Sequence, residues 1–289
     1  MSSAAAGAGS TPSLNQVRRG AGAPLVLIHG LGGSLANWMP VLDLLASERD
    51  AIAVDMPGFG ASPPLPAGER HSAVAMGRAI TRHLRALGIE RPHLAGNSLG
   101  AWVALEMAAD GEAASVCCIS PAGLWRRALG PRAYNTRRAG QRIKPLIRAA
   151  LRTPRGRAAL MRTTVARPEL LSAQEAIEWT MAWLEAPAYD DANEMMRTLV
   201  FDRAADVRVP TTVAWGEQDR LVAPPRPERI PAGARYTTVP GWGHTPTSDD
   251  PEGVTRLLLE ASSGLSVGSA GETGDARRET RDDLKEVGG

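Results

Sequence analysis

Short apolar runs separated by helix-length intervals constrain this chain more than any other feature of it. The runs are Pro24–His29, Ala51–Asp55, Pro92–Gly96, Ser115–Ser120, Pro210–Trp215 and Arg235–Val239. Most are continuous rather than alternating in polarity, as expected of strands covered on both faces of a parallel sheet. Helical periodicity fills several intervals, over Leu35–Ala46, Ser72–Leu87 and Leu99–Ala109. Parallel neighbours need a crossover long enough to hold a helix, so this alternation predicts βαβ units. The expected fold is α/β, a mostly parallel central sheet with helices on both faces.

The alternation stops between Gly123 and Arg203, where helical patterns continue without a convincing strand. Ile143, Leu146, Ile147, Ala150 and Leu151 fall on one helical stripe, with Arg148 and Arg152 off it. Ser172 and Glu175 have capping-box spacing ahead of Ala176, Trp179 and Trp183. Asp191 and Glu194 start a further pattern containing Met195, Met196, Leu199 and Val200. An all-helical insertion between strands of a parallel sheet reads as a cap. The expected division is a core of residues 21–122 and 204–263 with a cap over residues 123–203. Residues 1–20 and 264–289 are small and polar, too poor in apolar surface to offset their ordering entropy, and are expected to be disordered tails.

Bulk properties narrow the setting. The formal net charge is +2 over 289 residues, which gives no reason to expect a nucleic-acid or membrane partner. Cys117 and Cys118 are adjacent in an apparent strand, where their side chains point to opposite faces, so a disulfide framework is not expected. No apolar run approaches the roughly 18 residues of a membrane span, and the N-terminus lacks the basic and apolar regions of a signal peptide. The expected setting is a reducing cytoplasm, with the chain a monomer or homodimer. No His/Cys/Asp cluster has metal-ligand spacing. Ten Lys or Arg and no acid lie between Arg137 and Arg167. They fit either a site for an anionic substrate or surface, or the solvated outer faces of cap helices. The second reading is preferred, because the apolar stripe leaves the arginines outside.

Four segments carry chemistry. Gly96-Asn97-Ser98-Leu99-Gly100 lies directly after a strand and before a helix, the turn that presents a serine hydroxyl away from the backbone. The turn is crowded, so glycine fits its flanks. Ala101, Ala104 and Ala108 let the following helix pack near the sheet. A serine needs an adjacent base. Of five histidines, His244, in Gly241-Trp242-Gly243-His244 after the last strand, is the candidate. His71 and His83 read as surface residues, and His93 as a packed strand residue. An imidazole base needs a carboxylate to fix its tautomer. Asp219 or Glu217, at the end of the preceding strand, can serve, and Asp219 is preferred. His29-Gly30-Leu31-Gly32-Gly33-Ser34 follows a strand and offers one of two backbone N–H groups for an oxyanion, that of Leu31, with Leu99 supplying the other. Trp125, Trp179 and Trp183 fall in the insertion, as pocket lining or as ordinary core.

HGLGGS, DMPGFGAS from Asp55 to Ser62, GNSLGAW, WGEQDRLV and GWGHTPTSDDP resemble, in order, the successive motifs of the α/β-hydrolase superfamily. The resemblance covers about residues 24–260, including the place of the cap. It implies a serine-dependent hydrolase with Ser98, Asp219 and His244 as triad, a cap-lined pocket for a small-molecule acyl substrate, and no cofactor. Asp55 resembles a structural position of the family, without a catalytic role. Two departures stand out. Members usually begin with an antiparallel hairpin, whereas only about Ser13 to Gly22 is available here, enough for one short strand or none. The segment between Asp219 and the last strand is proline-rich where a helix is usual.

Three functions compete. The first is hydrolysis of a small carboxylic ester or related acyl compound through an acyl-enzyme. The second is C–C bond hydrolysis of a ring-cleavage diketone, which Asn97 and Asn37-Trp38 resemble, although no tryptophan directly follows His244. The third is a ligand-binding receptor or scaffold that keeps the fold.

Overall fold

The computed structural model describes residues 13–130 and 136–263. Seven strands form one sheet: β1 (Gln16–Arg19), β2 (Pro24–Ile28), β3 (Asp50–Val54), β4 (His93–Asn97), β5 (Ser115–Ile119), β6 (Thr211–Gly216) and β7 (Arg235–Val239), in the order β1-β3-β2-β4-β5-β6-β7. Every pairing is parallel except β1 on β3. Four helices flank it: α1 (Met39–Leu45), α2 (Ala73–Ala86), α3 (Leu99–Ala109) and α9 (Pro251–Ala261).

Successive strand residues point to opposite faces, and the core divides accordingly. Val26, Ile28, Val54, Val116 and Cys118 pack with Met76 and Ile80 of α2 and Val103 of α3. Leu25, Leu27, Ala53, Cys117 and Ile119 pack on the other face with Leu42 of α1 and Leu258 of α9. Both cysteines are free and buried, and burial pushes the Cys117 thiol up to about 12, so it is no competing nucleophile at neutral pH.

The N-terminal boundary differs from the one expected. Part of the tail assigned to residues 1–20 is ordered, because β1 donates its backbone to the edge of β3, with Gln16 opposite Val54. Arg18 closes a two-bond ion pair on the buried carboxylate of Asp50, at 2.7 and 2.6 Å. The tail expected at residues 264–289 lies outside the described residues.

His71 and His83 are buried rather than on the surface. The His71 ring bonds to Asp191 at 3.0 Å, and that of His83 accepts the Leu14 N–H and bonds Gln16. Burial holds His83 below the ordinary histidine range, and His93 too, with the Arg49 charge adding to the effect. His29 is fully buried, and desolvation lowers it against the opposing pull of Asp55 and the Gly30 carbonyl. The Met56 N–H donates to its Nε2 at 3.0 Å, so Nδ1 carries the proton toward Gly30 O at 2.8 Å. A second proton would face the Met56 N–H. Groups whose folded pKa is depressed leave stability complete above the unfolded value near 6.5, and lose it as pH falls below. The expected result is an unfolding midpoint that declines from about pH 7 to about pH 5, with at most about 1.4 kcal/mol per pH unit from His29. Urea titrations across that range check it, and a flat profile contradicts it.

Between β5 and β6 the described elements are helical: α4 (Thr136–Arg142), α5 (Lys144–Leu151), α6 (Pro154–Met161), α7 (Ala173–Glu185) and α8 (Tyr189–Thr198), with short 3-10 turns. Ser172 and Glu175 form the expected capping box of α7. The expected stripe behaves differently. Leu151 is buried and Ile147 packs beside it against Met161, Val165 and Trp179, but Ile143 is 47% exposed and Leu146 68%. Arg137 and Arg157 of the basic stretch are buried. Between β6 and β7 the proline-rich segment forms only a 3-10 turn at Pro227–Arg229.

Candidate active site

β2 and β4 are neighbours whose crossovers lead to opposite sides, β2 to β3 and β4 to β5. Loops leaving such a pair at their C-terminal ends diverge and open a crevice. Ser98 occupies this place, between the last residue of β4 and the first of α3. Its backbone has φ +55° and ψ −117°, outside the relaxed regions for an L-residue, at a cost of about 1–3 kcal/mol. Surrounding bonds hold it there: Ser98 N–H donates to Ile119 O at 2.9 Å, and Ala122 N–H donates to Ser98 O at 3.0 Å. The flanking glycines are sterically required. A Cβ on Gly96 would lie 2.3 Å from Gly100 O, and one on Gly100 2.2 Å from Ile28 O.

His244 follows β7, and its Nδ1 bonds Asp219 Oδ2 at 2.8 Å with both side chains almost fully buried. Burial raises the Asp219 carboxyl, but the His244 hydrogen bond and charge and the N–H groups of Val222 and Leu221 outweigh it and leave the pKa below the ordinary value. Glu217, the other candidate acid, is exposed. Asn97 links the elbow to the histidine loop. Its amide donates to His244 O at 2.7 Å and Ile119 O at 3.1 Å, and accepts the Thr245 hydroxyl at 3.1 Å. With Nδ1 committed to Asp219, Nε2 is the ring nitrogen left for the Ser98 hydroxyl. The hydrogen bonds of the described residues include none between Ser98 and His244, an arrangement common in unliganded sites, where that bond tightens with substrate.

The glycine loop lies alongside. A Cβ on Gly30 would sit 3.2 Å from Ser98 Cβ. The loop is fixed by the Gly33–Gly30 backbone turn, by Asn37 accepting the Ser34 N–H, and by Asp55, which accepts from Leu35 N–H, Ala61 N–H and the Asn15 amide. Asp55 is thus structural. Among the described residues, the N–H groups of Leu31 and Leu99 donate to no backbone acceptor outside α3; Leu99 follows Ser98 in the chain, and Leu31 follows Gly30, which lies against Ser98.

The three tryptophans separate. Trp183 reaches the glycine loop: a Cβ on Gly32 would meet its Cδ1 at 2.7 Å and Tyr189 Cε2 at 3.1 Å. Trp179 packs with Leu151, Met161, Val165, Leu171 and Ala176 in a cluster that also takes in Ala36, just after the glycine loop. Trp125 stands edge-on to Trp102 of α3. Tyr189 was not legible as a site residue, since nothing in its local pattern separates it from a helix start. Ser98 and His244 are only 7% and 4% exposed. A groove of about 720 Å³ among α5, α7, Ser34 and Gly60 and one of about 340 Å³ beside His71 are open, and neither is lined by these two residues. Among the described residues no three His, Cys, Asp or Glu side chains are grouped to hold a metal ion.

Sheet order, strained serine elbow and buried Asp–His pair together define a class. The model of the Alpha/beta hydrolase family matches residues 25–257, and the chain belongs to that family; hydrolysis is the class of reaction this membership supports. Epoxide hydrolase EphH of Mycobacterium tuberculosis (strain ATCC 25618 / H37Rv) is 33% identical over 202 residues, 65% of this chain and 93% of that protein. The dihydrolipoyllysine-residue acetyltransferase component of the acetoin cleaving system of Pseudomonas putida is 30% identical over 248 residues, 82% of this chain; the chain spans 63% of that protein's length. Among solved structures, the enol-lactonase from Burkholderia xenovorans LB400 has a TM-score of 0.64 at 19% identity, covering 86% of this chain and 95% of that one.

Proposed function

We propose that this chain is a serine hydrolase that cleaves small neutral carboxylic esters through an acyl-enzyme. The carrying observation is the buried 2.8 Å Asp219–His244 pair beside a serine held at φ +55°. Ser98 Oγ attacks the acyl carbon while its proton passes to His244 Nε2, and Asp219 stabilises the imidazolium. The carbonyl oxygen becomes an oxyanion facing the Leu31 and Leu99 N–H groups. Collapse breaks the ester bond, and the alcohol leaves with the proton from His244. Water, deprotonated by His244, then attacks the acyl carbon and frees the acid and Ser98. The helices between β5 and β6 act as a cap, with Trp183 and Tyr189 over the acyl side.

The name of the epoxide hydrolase relative raises a different reaction. A serine that opened an epoxide would be left as an ether, which water does not readily cleave, whereas an acyl-serine ester hydrolyses. Ser98 at the elbow therefore favours acyl chemistry. The diketone reading needs a cationic fork for the substrate's carboxylate and enolate, because burying those charges unpaired is prohibitive. Arg137 is the buried arginine tied to Trp183 and Tyr189, but each of its three nitrogens is already bonded, to Trp183 O at 3.0 Å, Asp190 at 3.1 Å and Ala186 O at 2.6 Å, so no free fork faces a substrate. The expected result is a preference for short-to-medium acyl esters over a vinylogous diketo acid. A kcat/KM for the diketo acid tenfold above the best ester, about 1.4 kcal/mol, overturns the ester reading. Covalent labelling by a fluorophosphonate without turnover of any ester would favour a receptor.

A further inference from the structure

We infer that the outer surface of α5 and α6 docks on an anionic lipid bilayer. These two helices pack against each other and present Ile147, Leu151 and Met161 to the apolar cluster beneath. Leu146 and Leu160 each precede an inward residue by one position, about 100° around the helix, and turn out to solvent at 68% and 46% exposed. Ile143 at the start of α5 and Leu170 in the 3-10 turn Pro168–Leu170, which packs on α6, are 47% and 53% exposed. Four large apolar side chains exposed on two helices that pack together, and on the turn against them, are more than the scattered surface leucine that needs no explanation.

Charge names the partner. From Arg137 to Arg167 there are ten cations and no acid, a concentration that the whole-chain charge of +2 conceals. Arg142, Arg148, Arg152, Arg155 and Arg162 are exposed and form no ion pair among the described residues. Acids on the elements packed against these helices are Glu169, beside Leu170 in the 3-10 turn Pro168–Leu170, and those of α7. Glu185 pairs with Lys144 at 2.9 Å, and Glu178 lines the groove beside Arg148 and Arg152 without bonding either. Cations unneutralised by the protein, set among outward leucines, match an interface of anionic headgroups over acyl chains: the guanidinium groups stay at headgroup level while the leucines enter. No helix among the described residues is long and apolar enough to cross a membrane, so attachment would be peripheral. The inference is independent of the reaction at Ser98.

The test uses the whole chain with phosphatidylcholine vesicles, with and without phosphatidylglycerol, in a co-sedimentation assay. Binding is expected only to the anionic vesicles and weakens as salt rises. The pair Arg155→Gln and Arg162→Gln should reduce partitioning about 25-fold, about fivefold for each cation near the surface. Leu146→Gln with Leu160→Gln should also reduce it, and all four substitutions leave turnover of a soluble ester unchanged. Equal binding to neutral vesicles, no binding to either, or variants that bind like the parent overturn the proposal. So does a dimer in sedimentation equilibrium that Leu146→Gln dissociates, since a second copy would then be the occupant.

Discussion

Replacing Ser98 by Ala, or His244 by Ala, is expected to lower kcat by about 10⁴-fold or more, with Asp219→Asn somewhat milder. The ranking follows from the geometry. Without the Ser98 hydroxyl no acyl-enzyme forms. Without His244 the hydroxyl keeps its proton at neutral pH, and the strained backbone at φ +55° presents a group that cannot attack. In Asp219→Asn the amide offers its own N–H toward His244 Nδ1, which favours the wrong tautomer, while its oxygen can still accept from Leu221 and Val222, now bonded at 2.8 and 3.0 Å. The loop should therefore hold its shape while the ring loses its orientation. In the proposed mechanism the three residues act as one unit, so the Ser98→Ala/His244→Ala pair should be scarcely slower than either alone. Burst and steady-state kinetics with a chromogenic ester check this, with unfolding midpoints confirming intact folds. Near-normal turnover by Ser98→Ala would sink the assignment. An active Asp219→Asn beside a dead Glu217→Gln would move the acid to Glu217, an outcome the exposure of Glu217 argues against.

Much of this was legible because buried parallel strands must be continuously apolar and their turns must end in small residues. The pattern expected over Leu99–Ala109 is α3, and Arg235–Val239 is β7. The elbow was legible for the same reason: α3 packs so close to β2 that a Cβ on Gly100 would lie 2.2 Å from Ile28 O, which demands glycine. What local pattern left open or missed was held by partners distant in sequence. Of one short strand or none over Ser13 to Gly22, the structure has the strand: β1 is polar, Gln-Val-Arg-Arg, and exists through backbone bonds to β3 and the Arg18–Asp50 pair. His71 is buried because Asp191 reaches it across 120 positions. Periodicity found the stripe through Leu146 and Leu151, yet it does not say how much of a stripe finds a partner. α9 had an Asp-Pro start in Asp250-Pro251, a signal that was present and unread. The packing of Trp125 and Trp179 against their own neighbours depended on the fold of the insertion, which local pattern does not specify.

Asp249 illustrates that last point and carries the second large effect. Its buried carboxylate accepts Gly243 N–H at 2.9 Å and Ala166 N–H at 3.0 Å on Oδ2, and Arg167 N–H at 2.9 Å on Oδ1. Its own carbonyl accepts from the Arg167 guanidinium. One side chain thus joins the residue before His244 to the segment between α6 and α7, beside the Thr245–Thr164 backbone bond at 2.8 Å. The approach is close: a Cβ on Gly243 would lie 2.4 Å from Ala166 N. Asp249→Ala leaves three backbone N–H groups without their acceptor, at about 1–3 kcal/mol each where water does not reach. The expected loss of unfolding free energy is about 3–5 kcal/mol. Turnover of the surviving folded enzyme should fall about tenfold to 100-fold, since His244 sits between two residues this network holds. Asp249→Asn keeps the shape but turns an NH₂ toward at least one of those donors, so it should retain only part of the stability. Asp250 supplies the comparison. It caps α9 through the Gly253 N–H at 2.9 Å and accepts Trp242 Nε1 at 3.1 Å, and Asn caps a helix about as well as Asp. Asp250→Asn should therefore keep the cap on its one oxygen, lose the Trp242 Nε1 bond at about 1–3 kcal/mol, and leave kcat unchanged. Urea unfolding and ester turnover of the three variants decide the matter. If Asp249→Ala behaves like Asp250→Asn, the clamp between the histidine loop and the helical insertion has no energetic weight, and His244 is held by Asp219 and Asn97 alone.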